Sequence, residues 1–171
     1  MRWIRKLLGA VPKEEMDGIR LDTKRPYWEV DGPRTFTELF RALEGWLPEG
    51  AVLYFEGGSP DPAISAFMSE NAVQEQAHIA MGTIWPRPKV FHVPSTPIVL
   101  NKLAAMMENH AEHELAVHFH VYRGRTVLLE WHDVFLQPML ISGEIPEERI
   151  RLLANRFGTQ YKSVPLGSAL H

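Results

Sequence analysis

Apolar side chains recur along this chain with two different periods, and stretches of the two alternate. Phe36, Leu39, Phe40, Leu43 and Leu47 stand three or four apart, the spacing of one helical face. Thr35 and Glu38 precede and open that stretch with capping-box spacing, and Gly45 and Pro48 mark its end. The same period returns at Ile64, Phe67 and Met68 after Asp61-Pro62, and at Leu100, Leu103, Ala104, Met107 and His110 after Thr96-Pro97. In both places a capping oxygen is followed by proline at the first helical position. A last helix is predicted between Pro146 and Gly158, with Ile150, Leu153, Ala154 and Phe157 inward.

The other stretches read as strands. Ala51–Phe55 is a continuous apolar run, which predicts a buried strand with Glu56-Gly57-Gly58-Ser59 as its exit turn. His78–Trp85, Lys89–Val93, Leu115–Tyr122 and Thr126–Trp131 follow, the last two as a hairpin about Arg123-Gly124. Val134–Ile141, interrupted by Pro138, reads as a bent or edge extension, and Tyr27–Val30 as a short extended piece. Adjacent strand pairs without intervening helices argue against a parallel doubly wound sheet. The expectation is a single α+β domain with a mostly antiparallel or mixed sheet of about five strands, and about three to four helices packed mainly on one face. Its limits fall at residues 35–158, between an N-terminal arm (1–34) and a loose C-terminal tail (159–171).

Composition narrows the classes. The chain has 171 residues, 45% hydrophobic and 23% charged, which argues against wholesale disorder. It has no cysteine, which removes disulfides, thiolate-held metals and thiol catalysis and suits the cytoplasm. No apolar run approaches the roughly 20 residues of a membrane span. The basic start (Arg2, Arg5, Lys6) is followed by too short and glycine-broken an apolar stretch for a signal peptide. Trp3, Ile4, Leu7 and Leu8 could share a helical side, so residues 1–11 are expected to pack on the domain or a sister subunit rather than a membrane surface.

Charge is uneven. Residues 35–122 carry 4 basic and 10 acidic side chains, net −6, with six of the eight histidines. The bases occur in small groupings, Arg2/Arg5/Lys6, Lys24/Arg25, Arg123/Arg125 and Arg149/Arg151/Arg156, rather than the stripe a duplex-binding surface needs. Nucleic acid is therefore not the favoured partner. The acidic middle suits a basic protein partner, and an inhibitor- or immunity-type role fits the composition. Free sheet edges also suit a homodimer.

The densest chemistry lies at His110-Ala-Glu-His113-Glu-Leu-Ala-Val-His118-Phe-His120. On a strand His118 and His120 share a face and could share a divalent transition metal, with Glu130 or His113 as a further ligand. With Arg123-Gly124 as a two-residue turn, His118 lies opposite Leu129 and His120 opposite Val127. A one-residue shift instead sets His118 opposite Glu130. The sequence chooses neither. Gly57, Gly58 and Ser59 precede a helix N-terminus, where backbone amides can cradle an anion, although Asp61 would repel one. His132-Asp133 lacks the further ligands of a metal phosphohydrolase, and no GxSxG elbow is present. The expected function is therefore non-enzymatic binding of a protein partner, with a metal-dependent hydrolase or oxygenase built on His118 and His120 as the alternative.

Overall fold

The computed structural model describes residues 17–111 and 114–166. The capping signals place the helices. Thr35 accepts the Glu38 amide at 3.1 Å and opens α1 (Phe36–Leu43). Asp61 accepts the Ile64 amide at 2.8 Å at the start of α2 (Pro62–Glu70), and Thr96 caps α3 (Pro97–Met107) through the Val99 amide. The fourth helix, α4 (Glu147–Phe157), follows Pro146 and ends at Gly158, whose φ of +67° favours a residue without a Cβ.

Seven strands make one sheet, antiparallel throughout. They are β1 (Tyr27–Val30), β2 (Val52–Glu56), β3 (Val90–Pro94), β4 (His118–Arg123), β5 (Thr126–Trp131), β6 (Met139–Ser142) and β7 (Tyr161–Val164). Their order is β3-β2-β4-β5-β6-β1-β7. The architecture is thus α+β with seven antiparallel strands and four helices among the described residues, two strands more than expected.

Four differences account for this. Tyr27–Val30, expected as a short extended piece, is a full sheet strand between β6 and β7. Tyr161–Val164 pairs with β1 as the edge strand β7, where a loose tail was expected. Met139–Ser142 lies inside the sheet between β5 and β1, because Pro138 falls just before the strand and leaves its ladder intact. His78–Trp85 is no ladder strand: its one bridge joins Ile79 to Ile19. The N-terminal segment 1–16 and the residues after 166 lie outside the described residues.

Strand alternation divides the interior in two. One face of the sheet (Leu53, Phe55, Phe119, Val121, Leu129, Trp131, Ile141) meets buried residues of all four helices, including Phe40, Ile64, Leu103 and Leu153. The other face (Val52, Tyr54, Tyr122, Val127, Tyr27, Val164) carries no helix and packs instead under Ile19, Leu21, Val73, Ala77 and Ile79. The helices therefore sit on one face, and irregular chain from residues 19–21 and 73–79 partly roofs the other. No described helix is long and apolar enough to cross a membrane.

Candidate functional site

One row of paired residues crosses all seven strands on the roofed face: His92, Tyr54, His120, Glu130, Leu140, Glu29 and Lys162, each opposite the next. Strand alternation puts His118 and Glu56 on the same face, opposite one another. His118, His120, Glu56 and Glu130 are all buried, with His120 only 1% exposed. His132, just past β5, completes the cluster, its ring 5.1 Å from that of His118 and 4.8 Å from that of His120. Tyr54 stacks on the other side of His120 at 5.3 Å.

The register that assembles this cluster is neither of the two considered from sequence. His120 stands opposite Glu130, because the turn falls at Gly124-Arg125, with Arg123 opposite Thr126, and a bulge between Val121 and Tyr122 shifts the ladder by one further residue and admits Leu128 to the helix-side core. His118 and His120 do share a face and do have Glu130 beside them. His113 lies outside the described residues.

Each polar group in the cluster has a job within the fold. The Glu56 carboxylate accepts the Gly82 amide at 3.0 Å, the Thr83 amide at 2.6 Å and the Tyr54 hydroxyl at 2.8 Å. Glu130 accepts the Leu21 amide on one oxygen and His132 Nε2 on the other, both at 2.6 Å. Glu130 thus ties down the Leu21 part of the roof, and Glu56 the stretch at 82–83 that follows its other part. His120 Nδ1 accepts the Trp131 amide at 3.2 Å, and His118 Nδ1 accepts the Asp133 amide at 3.1 Å. Each neutral ring must then carry its proton on Nε2. The Nε2 of His120 is buried without a hydrogen-bond partner among the described residues.

Burial sets the protonation states. It holds His120 down to about 3, outweighing the attraction of Glu130, and it lowers His118 despite Glu56 nearby. Burial alone would raise the Glu130 carboxyl, but the His132 hydrogen bond and the Leu21 amide outweigh it and hold the group below its usual range. Tyr54 is raised far above its usual value by burial and by Glu56.

This arrangement does not favour the metal site drawn from sequence. A metal-ligating imidazole binds through a bare nitrogen and donates its other N–H outward. Here both Nδ1 atoms already accept backbone N–H groups, so the Nε2 lone pair that a metal would need carries a proton instead. Both Glu130 oxygens are engaged as well. Accordingly, no group of three His, Asp or Glu side chains among the described residues is disposed to hold a metal ion.

Two of the three amides of the glycine turn are occupied. The Gly57 amide donates to the Lys89 carbonyl and the Ser59 amide to the Glu114 carbonyl, so neither is left for an anion. Both glycines have φ near +75° to +79°, and a Cβ on Gly58 would come 2.7 Å from the Glu114 carbonyl oxygen. Turn geometry accounts for them. Asp61 and Glu114 approach His110 from its two nitrogens at 3.2 and 3.1 Å.

Sequence reasoning missed Glu56, which looked like the first residue of a turn, and took His132 only as half of a His-Asp dipeptide. Alternation along Val52, Tyr54 and Glu56 was the available signal, but it points to His118 only once β2 is known to pair with β4. Comparison with known proteins finds no family model, no curated protein and no solved structure that matches this chain.

Proposed function

We propose that the protein works by binding another protein through its central segment, 35–122, rather than by chemistry at its histidines. The observation that carries this reading is the contrast between its two most distinctive features. The histidine–carboxylate cluster is roofed, and its hydrogen bonds run inward to the fold. The loop beyond it holds Ile84 and Trp85 out at 60% and 65% exposure.

Ile84 and Trp85 adjoin a groove of about 420 Å³ whose walls include Ser59, Thr83, Pro86, Pro88 and Val117. Tryptophan supplies large contact area at small entropic cost, and prolines limit what the loop loses on docking. The acidic excess of the segment is not one patch. Glu56 is buried, Asp61 and Glu114 hold His110, and Glu108 pairs with Arg41. Those that remain exposed, such as Glu49 and Glu70, suit long-range steering of a basic partner toward an apolar contact.

The test is recovery of a one-to-one complex from native lysate at low salt, compared between wild type and Trp85→Ala. Loss of the complex in Trp85→Ala and retention in Glu144→Gln supports the reading. A complex indifferent to Trp85→Ala overturns it.

A further inference from the structure

Two residues that carry a Cβ stand in left-handed backbone among the described residues, and both follow β5. Asp133 has a φ of +43° and Phe135 a φ of +69°. Such a conformation costs free energy in any residue but glycine and persists where its surroundings hold it. At Asp133 the hold comes from the histidine cluster, because its amide donates to His118 Nδ1 at 3.1 Å. The neighbouring ties belong to other peptide planes. The Val134 amide donates to the Val117 carbonyl at 3.0 Å, and the Asp133 carbonyl accepts the Leu136 and Gln137 amides at 2.9 and 3.2 Å. Turning the plane between His132 and Asp133 breaks none of these. It breaks the bond to His118, which exists only while Nδ1 carries no proton.

A second proton on the His118 ring sits on Nδ1 and faces the Asp133 N–H, donor against donor. A half-turn of the peptide plane replaces that amide with the His132 carbonyl, which is an acceptor. The same half-turn carries φ of Asp133 from +43° to about −140°, ordinary extended backbone. A charged ring and a relaxed Asp133 therefore belong to one state. From this coincidence we infer that the His132–Asp133 peptide is an acid-operated switch, held in its left-handed orientation by neutral His118 and flipped when that ring is protonated. The groups facing His118 are Glu56 on β2, His132 and Asp133 beyond β5, and His120 on its own strand. Gly82, against the ring's Cδ2 and Nε2, brings no charge. Burial and His132 oppose a charged ring while Glu56 and Asp133 favour one. Burial prevails and lowers the ring from its ordinary 6.5, so the flip falls below that pH. The switch needs no partner and stands apart from protein binding.

Proton–nitrogen NMR of the full chain, acidified stepwise from neutral pH, tests this. The Asp133 amide signal should move with the same midpoint as the His118 ring, while the Trp131 amide, which donates to His120, stays in place. Asp133→Gly and Asp133→Ala lose the same carboxylate, but only glycine takes left-handed backbone freely. The flip in Asp133→Ala should therefore come about one pH unit above that in Asp133→Gly. His118→Asn keeps an acceptor oxygen near the place of Nδ1 without titrating, and should leave the Asp133 signal fixed. The switch is overturned by a His118 ring that titrates past an unmoved Asp133 amide, by equal midpoints in the two Asp133 variants, or by global unfolding before the ring titrates. If His118→Asn fails to fold, the wild-type titration and the two Asp133 variants decide the matter.

Discussion

The amide of Leu21 donates to the Glu130 carboxylate at 2.6 Å across 109 residues of sequence. That carboxylate also holds His132, so one side chain joins the N-terminal part of the roof to the histidine cluster beneath it. Glu130→Gln presents an N–H where one of two donors needs an acceptor. It should lower stability by about 2 kcal/mol in urea unfolding, and hydrogen exchange at Leu21 should accelerate ahead of the β4–β5 ladder. Glu144→Gln, at the exposed rim, should be near neutral. Unchanged protection at Leu21 would show that Glu130 does not hold the roof.

Stability should fall as the medium is acidified through the mildly acidic range. His120 is neutral in the fold with its pKa held to about 3, whereas the unfolded ring titrates near 6.5. The unfolded state therefore binds more protons below pH 6.5, and stability drops by about 1.4 kcal/mol per pH unit from this one group. The lowered His118 acts in the same sense. Glu130 adds to the loss below about pH 4.5, its ordinary value, because its folded carboxyl is held lower still. His120→Gln should flatten the slope between pH 6.5 and 4.5, as chemical denaturation at each pH would record.

Gly82 lies directly against the His118 ring. A Cβ there would come 2.7 Å from both Cδ2 and Nε2. Gly82→Ala should cost about 1–3 kcal/mol through overpacking. The penalty should shrink in a His118→Ala background, because the obstructing ring is gone. Additive losses in that double-mutant cycle would mean the contact does not form.

Chelation should leave the thermal melt unchanged, and elemental analysis of untagged protein should find transition metal well below one per chain. Both follow from the Nδ1 atoms of His118 and His120 accepting backbone amides. Near-stoichiometric metal with a chelator-sensitive melt would instead restore the enzyme reading drawn from sequence.

The helices were legible because their signals are local. Thr35 with Glu38, Asp61 before Pro62 and Thr96 before Pro97 act within a single turn. What failed was long-range. The register depends on a turn at Gly124-Arg125 and on the bulge at Val121/Tyr122, where Leu128 joins the helix-side core, and no local pattern announces either. Buried Ala77 and Ile79 do alternate with exposed His78, but they pack onto the sheet face instead of extending a ladder. Tyr161–Val164 looked like a tail because four mixed residues carry no period of their own. Pairing with β1 makes them a strand. The pair His118 and His120 was found correctly as a shared face, whereas its hydrogen-bond polarity, which bears most directly on metal binding, exists only once Trp131 and Asp133 are placed.

The sheet order has a consequence for the birth of the molecule. The first described strand, β1, pairs only with β6 and β7, the last two. During synthesis its hydrogen-bonding edges stay open while β2, β3, β4 and β5 can already assemble on each other. Residues 27–30 therefore wait longest between leaving the ribosome and finding their neighbours. Such distant pairing makes folding slow, and it leaves Tyr27 and Val30 exposed to wrong partners until Met139–Ser142 and Tyr161–Val164 have emerged.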